Sequence, residues 1–160
     1  MGSRLTKEQR AYIAGFLDGD GSLMLQVKRR KDTRIHWRFM ATICLYQDSR
    51  HEAPLVWMKR VLGIGYISHR NDGMTELRIN GYQQVLTILR QLMPYLRFKK
   101  AQAQAIVKAC EILVQRPGSQ LSPAAKERLC TYCMCVQQHN YRTHYKKTLQ
   151  EFRSMIGLTP

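Results

Sequence analysis

Hydrophobic and polar residues alternate with a period of two in four stretches of the chain, residues 22–30, 35–47, 64–70 and 74–80. Such alternation is typical of strands with one buried and one solvated face. The polar residues 31–34 separate the first two stretches, and Asn71, Asp72 and Gly73, a strong hairpin-turn signal, separate the last two. The pattern therefore predicts two antiparallel hairpins.

Helical periodicity fills most of the remaining chain, near residues 7–17, 54–62, 82–92, 99–115, 123–138 and 146–156. Pro54 suits the start of the second helix, and Gly63 suits its end. The order helix, hairpin, helix, hairpin, helices predicts an α+β domain, a four-stranded antiparallel sheet with helices on one face. We expect one domain spanning residues 1–160.

The opposite sheet face should be left open, and it is rich in basic residues. The chain has 26 Lys and Arg against 11 Asp and Glu, a formal net charge of +15. This excess indicates a polyanionic partner, and Arg, Lys and Gln on a β-ribbon suit base reading in a DNA major groove. The alternatives are an anionic membrane surface, which gains no support from any long apolar run, and a solvated sheet face. The residues expected to be exposed on this face are Ser22, Gln26, Lys28, Arg30, His36, Arg38, Thr42, Ser68, Arg70, Glu76 and Arg78, and Met24, Met40, Cys44, Tyr46 and Tyr66 share it.

The five cysteines are an odd number without regular spacing, which favours a reducing compartment. Cys130, Cys133, Cys135 and His139 do not match a common zinc spacing, and they fall in a predicted helix. We therefore expect buried helix cysteines rather than a metal site.

The stretch AYIAGFLDGDGS, residues 11–22, begins as a helix and ends with Asp18 and Asp20. Acidic side chains are unfavourable at a helix C-terminus, which carries partial negative charge. The stretch resembles the signature motif of the LAGLIDADG homing endonucleases, and "PYLRFKKAQA" at residues 94–103 strengthens the resemblance. It runs from about Tyr12 to Lys100 and is similar to single-motif members from organellar ribosomal-RNA introns.

The resemblance implies an αββαββα fold with a saddle-shaped sheet, and a homodimer in which two motif helices pack together. Gly15 and Gly19, four residues apart, would let two backbones approach closely. It also implies Mg²⁺ held by the Asp20 carboxylate and the Gly19 carbonyl, so that the metal compensates the acids, while Asp18 is a structural residue at the helix end. Mn²⁺ should substitute, Ca²⁺ should bind without supporting cleavage, and no organic cofactor is expected.

Other site residues follow from the resemblance position by position. Gln47 matches a residue that orders the water network, and Lys99 matches a basic residue beside the scissile phosphate. The second basic position falls on His51 by counting, with Arg50 as its neighbour, and both remain candidates. Phosphate contacts are expected from Lys100, Asn140, Arg142, Thr143 and Lys146, with a solvated helix end as the alternative for the last four.

The implied activity is that of a metal-dependent endodeoxyribonuclease acting on a double-stranded DNA site of about 20 base pairs, one helical turn per subunit. Two alternatives on the same fold stay open, an intron-RNA maturase and a DNA-binding regulator that does not cleave. We expect an intracellular protein, of the chloroplast or mitochondrion if encoded by an organellar intron and otherwise of a prokaryotic cytoplasm.

Overall fold

The computed structural model describes residues 4–32, 34–140 and 144–158. Within these ranges the chain follows the predicted order, helix, hairpin, helix, hairpin and then helices, so the α+β class is confirmed. The elements are α1 Lys7–Asp20, β1 Gly21–Arg29, β2 Trp37–Asp48, α2 Ala53–Leu62, β3 Tyr66–His69, β4 Met74–Asn80, α3 Tyr82–Leu92, α4 Lys100–Gln115, α5 Pro123–His139 and α6 Leu149–Met155.

The strands form one antiparallel sheet in the order β1-β2-β4-β3. Ser22 pairs with Cys44, whereas the next residue, Leu23, pairs with Ile43. In the second hairpin Tyr66 pairs with Arg78. Because side chains alternate along a strand, this register places the polar residues on one face and the apolar residues on the other, as the sequence predicted.

The apolar sheet face packs against α1, α3, α4 and α5. Leu23, Ile43 and Leu77 from the sheet and Leu17 and Leu89 from the helices are all completely or almost completely buried. Full burial of such a side chain contributes about 1.5–3 kcal/mol to folding. The core therefore fixes one face of the sheet on the helical layer, and in the described part of the chain this layer lies on the apolar face.

The junction between α1 and β1 has no connecting loop. Thr6 and Gln9 form a capping box at the helix start, and Gly21 follows the helix directly as the first residue of the strand. A Cβ atom on Gly21 would lie 2.6 Å from Leu17 Cδ1 and 2.8 Å from the Leu17 carbonyl oxygen. The last glycine of the motif is therefore required by close packing, and it holds Gly19 and Asp20 at the margin of the sheet.

Two predicted boundaries are wrong in an informative way. Helix α1 continues three residues beyond 17, to Asp20, so both acids of the motif are helical. The last helix begins at Leu149 rather than near 146, because Thr148 and Glu151 form a capping box there. The Gln137 side chain binds both backbone groups of Lys147, accepting from its N–H at 2.9 Å and donating to its C=O at 2.7 Å, so this residue is tied to α5 rather than included in α6.

No helix in the described part of the chain is both long enough and apolar enough to cross a bilayer.

Candidate nucleic-acid interface and cleavage site

Asp18, the first acid of the motif, is buried, and its carboxylate is bound by backbone groups of a distant segment. It accepts hydrogen bonds from the N–H groups of Arg97 at 2.6 Å and Lys99 at 3.0 Å. These contacts give Asp18 the structural role predicted for it at the helix end. They also correct one expectation, because partners within the chain, rather than a metal, compensate this carboxylate.

Lys99 is also buried at the end of α1, with 7% of its surface exposed. Its ammonium group donates a hydrogen bond to the Asp18 carbonyl oxygen at 2.7 Å, which satisfies one of the helix's unpaired C-terminal carbonyls. Burial lowers the pKa of Lys99, while the charges of Asp18 and Asp20 oppose that shift. The structure thus places a desolvated cation close to the second acid of the motif.

Asp20 ends the helix and is exposed. Its carboxylate and the carbonyl of Gly19, which lacks a partner inside the helix, are hard oxygen donors of the kind that Mg²⁺ prefers. Among the described residues, no three His, Cys, Asp or Glu side chains are grouped as a metal site. One chain therefore offers only part of a coordination sphere, and the rest would have to come from water, phosphate oxygens or a second copy.

The segment after β2 carries the other predicted catalytic residues. The side-chain oxygen of Gln47 accepts a hydrogen bond from the Asp48 N–H at 2.9 Å. Arg50 is engaged by Asp48, with its Nε and Nη2 atoms 3.0 and 2.8 Å from the two carboxylate oxygens, and this guanidinium lowers the pKa of Asp48. His51 is exposed, and no ion pair involves it in the described part of the chain.

The centre of the polar sheet face is less open than predicted. Thr42, Cys44 and Glu76 were expected to be accessible, but Thr42 and Cys44 are fully buried and Glu76 is 8% exposed. Thr42 donates to the side-chain oxygen of Asn80 at 2.8 Å, and Cys44 lies 3.6 Å from the Glu76 carboxylate, which pairs with Arg78 at 3.2 Å. Thr42 and Cys44 lie where β2 is paired with β1 on one side and β4 on the other. Burial raises the pKa of the Cys44 thiol to about 11.

The rim of this face is open and basic. Tyr46 shares a hydrogen bond of 3.0 Å with Ser22, and burial raises the pKa of the tyrosine to about 12. Arg70 lies beyond the end of β3 and forms an ion pair with Asp72 at 2.8 Å. The exposed members of the predicted set are Lys28, Arg30, His36, Arg38, Tyr66 and Arg70, and the half-buried ones are Ser22, Met24, Gln26, Met40, Tyr46, Ser68 and Arg78.

A groove of about 880 Å³ lies at the outer end of the sheet, where β2 extends past β4. Arg30, Arg34 and Arg38 line it together with Trp37 and Tyr82. Arg34 was missed from the sequence because it belongs to the polar turn rather than to a strand. Three arginines around one groove add to the positive potential at this end of the open face.

The predicted C-terminal phosphate contacts have mixed environments. Asn140 donates to the Leu23 carbonyl oxygen at 2.9 Å and accepts from Gln102 at 3.4 Å, an internal role that the sequence did not predict. Lys146 is exposed and lies 3.3 Å from the Gln138 carbonyl oxygen, and Lys100 is exposed at the start of α4. Arg142 and Thr143 lie outside the described residues.

The cysteines of α5 follow the buried-helix expectation at two positions. Cys130 and Cys133 are completely buried, and burial raises the pKa of the Cys130 thiol to about 11. Cys135 is half-buried, and the nearby His139 ring nitrogen Nδ1 bonds the Cys135 carbonyl oxygen at 2.8 Å. All three thiols are free.

Comparison with known proteins agrees with this geometry. The family model for LAGLIDADG endonuclease matches residues 13–113. DNA endonuclease I-CvuI from Chlorella vulgaris is 33% identical over 98 residues, an alignment that spans 61% of this chain and 61% of the relative. DNA endonuclease I-CreI from Chlamydomonas reinhardtii is 26% identical over 156 residues, covering 98% of this chain and 93% of the relative.

The fold has the same relatives. The crystal structure of I-CvuI in complex with its target superposes with a TM-score of 0.83 at 25% identity, covering 94% of this chain and 93% of that one. The predicted enzyme class, an endodeoxyribonuclease, is confirmed by the family and by the names of both relatives. Since the family model spans well over half of its residues, this chain belongs to the LAGLIDADG endonuclease family.

Proposed function

We propose that the protein is a site-specific homing endonuclease that hydrolyses both strands of a long, pseudo-palindromic double-stranded DNA site as a Mg²⁺-dependent homodimer. The observation that carries the proposal is the end of α1, where the exposed Asp20 carboxylate follows the Gly19 carbonyl in the helix and lies within electrostatic range of the buried ammonium of Lys99. A metal-dependent nuclease needs oxygen ligands that hold a metal beside the phosphate, whereas a protein that only binds DNA needs no such ligands.

The open sheet face supports DNA as the partner. Its register brings Lys28 opposite Arg38, and both side chains are exposed near the end of the first hairpin. Phosphate neutralisation by such residues gives affinity, and side chains deeper on the face can read base edges in the major groove. The relative I-CvuI was crystallised with its DNA target in the presence of Ca.

The donor set at the end of α1 fits Mg²⁺. When bound, this cation would neutralise phosphate charge and favour deprotonation of the attacking water. Asp18 keeps α1 docked on the segment containing Arg97 and Lys99, so the position of Asp20 is fixed by contacts inside the chain. Lys99 supplies a positive charge there without needing to move, because its ammonium is already held by the Asp18 carbonyl oxygen.

The surface of α1 supports assembly with a second copy. A Cβ atom added to Gly15 or Gly19 would meet nothing within 4 Å inside the chain, so packing within the monomer does not require either glycine. On the same helix Tyr12 is half exposed, packing edge-on against Trp57 at 5.4 Å beside a largely apolar groove of about 490 Å³. Phe98, next to Lys99, is 82% exposed. An apolar surface around a glycine-lined helix suits close approach of two identical helices.

The experiment that tests the proposal is cleavage of a randomised duplex library with the purified protein, followed by sequencing of the ends. We expect cuts only with a divalent metal, in a site of about 20 base pairs with approximate two-fold symmetry. Selective binding of such a site in Ca²⁺ without any cleavage in Mg²⁺ or Mn²⁺ would favour a regulator. Selective binding of structured RNA over every duplex would favour a maturase.

A further inference from the structure

Glu52 makes an unusual set of contacts at the start of α2. It occupies the N-cap position but does not cap its own helix. Its Oε2 atom instead accepts a hydrogen bond from the Thr75 hydroxyl at 2.7 Å. The same atom lies within hydrogen-bonding distance of the His69 ring nitrogen Nε2, also at 2.7 Å. These two partners belong to β4 and β3, so one carboxylate oxygen joins α2 to both strands of the second hairpin. The hydrogen bond from Thr75, and then that from His69, lowers the pKa of Glu52.

A second set of contacts links the same two parts of the chain. The Ser49 N–H donates to the Gly73 carbonyl oxygen at 2.9 Å, and the Ser49 hydroxyl lies 2.8 Å from the Thr75 hydroxyl. Thr75 is completely buried, so its hydroxyl has no access to water and depends on Ser49 and Glu52 for partners. Residues 48–52 are therefore held on the second hairpin by a continuous hydrogen-bond network.

The two ends of this network carry different parts of the proposed function. On the hairpin, His69 lies between Ser68 and Arg70, two residues assigned to the DNA face. On the other side, the held segment carries His51 and directly follows Gln47, and both of these residues are proposed for the cleavage site. A displacement of the hairpin on binding DNA would therefore be transmitted through Glu52 to the segment that carries the chemistry.

We propose that Glu52 is a positioning residue that couples base recognition by the β3–β4 hairpin to the placement of residues 47–51 for cleavage, an inference that rests on the proposed function. Among the described residues, the side-chain hydrogen bonds of Glu52 go to Thr75 and His69 and not to the residues of the polar sheet face or the end of α1. It acts through Thr75 and His69, and its single Oε2 atom receives both groups with the strength of a charged acceptor. An amide at this position keeps the shape but accepts more weakly than a charged oxygen.

The test compares the full-length Glu52→Gln variant with a matched control, Glu111→Gln. Glu111 forms an ion pair with Arg90 at 2.7 Å between α4 and α3, with an exposure of 43% against 35% for Glu52. DNA binding is measured in Ca²⁺ and single-turnover cleavage in Mg²⁺, each on two duplexes. One duplex is the preferred site. The other differs from it at one base pair, chosen as the position at which the Arg70→Ala variant loses its sequence preference. Wild-type cleavage of the preferred site is the separate check on the proposed function.

We expect Glu52→Gln to bind the preferred site within about threefold of wild type and to cleave it at least tenfold more slowly. In this variant the ratio of the cleavage rates on the preferred and altered sites should fall until it equals the ratio of the binding affinities for the same two sites. Glu111→Gln should match wild type in binding, cleavage rate and preference. A wild-type rate and preference in Glu52→Gln would overturn the proposal. So would equal losses of binding and cleavage on both sites, which is the result of a merely structural contact.

Hydrogen exchange tests the coupling even if no duplex is cleaved. In the wild type, amides of residues 48–52 should gain protection when DNA binds, together with those of the first hairpin. In Glu52→Gln the gain at residues 48–52 should be lost while the gain in the first hairpin persists. Unchanged protection of residues 48–52 in the variant would contradict the proposal.

Discussion

Replacement of Asp18 by Asn should destabilise the protein far more than the same replacement at Asp20, two residues further along the same helix. Asp18 is 9% exposed and accepts hydrogen bonds from two backbone N–H groups, those of Arg97 and Lys99. Asparagine has one acceptor oxygen where aspartate has two. In the variant, one N–H group keeps a neutral partner, and the other faces an amide NH₂ group.

The magnitude follows from these two bonds. Loss of one partner leaves a buried donor unsatisfied, at a cost of about 1–3 kcal/mol. The surviving bond changes from charged to neutral, which removes about 1 kcal/mol more. Removing a negative charge from a helix C-terminus returns about 0.3–1 kcal/mol. The net loss in the free energy of unfolding for Asp18→Asn should therefore be about 1–4 kcal/mol, with a central value of about 2.5 kcal/mol.

Urea unfolding followed by circular dichroism measures this difference, with all proteins at one concentration and with EDTA present. For a denaturant slope of about 2–3 kcal/mol/M, the midpoint for Asp18→Asn should fall by about 1 M. Asp20→Asn, at an exposed position, should stay within about 0.5 kcal/mol of wild type. Equal unfolding free energies for the two variants would refute the assignment of Asp18 to this internal network.

Three further predictions concern other parts of the molecule. Arg38→Ala should cost about 1–3 kcal/mol of binding and relax preference at one position per half-site, whereas Lys100→Ala should weaken all duplexes alike and lower the salt slope by about 1; parallel affinity measurements on site variants distinguish the two. Gly15→Leu should give a folded monomer, since a Cβ atom added at this position meets nothing within 4 Å inside the chain, and sedimentation of an intact dimer would contradict the proposed interface. Of the five cysteines, Cys135 should be the one that reacts fast with Ellman's reagent at pH 8, because burial raises the thiol pKa of Cys44, Cys110 and Cys130 to about 11 or above. A fast phase that survives in Cys135→Ser would contradict this prediction.

The strands, their faces and most helix boundaries could be predicted from the sequence because they depend on local periodicity and turn chemistry. The register that brings Tyr66 opposite Arg78 follows from the Asn71–Asp72–Gly73 turn between two alternating segments. The end of α1 was harder to predict, since acids and glycines disfavour a helix there locally. The backbone N–H groups that donate hydrogen bonds to the Asp18 carboxylate belong to Arg97 and Lys99, which lie 79 and 81 positions further along the chain.

Burial on the polar face could not be read from alternation alone. Thr42 and Cys44 occupy positions of the same parity as the exposed Arg38, but they lie where β2 has neighbours on both sides. The position of a strand within the sheet, which local sequence does not encode, decides which polar residues reach solvent. The contacts of Glu52 escaped prediction for the same reason, since its partners follow it by 17 and 23 residues.

The central claim, that the end of α1 is the cleavage centre of a metal-dependent nuclease, is tested most directly by Asp20→Asn. The measurement pairs the dissociation constant for the preferred duplex in Ca²⁺ with the single-turnover cleavage rate in Mg²⁺, for the variant and the wild type. Affinity should stay within a few-fold, because it depends on the basic sheet face, while cleavage should fall by about a thousandfold or more as the metal's contribution is lost. Cleavage by Asp20→Asn at a near wild-type rate would contradict the account.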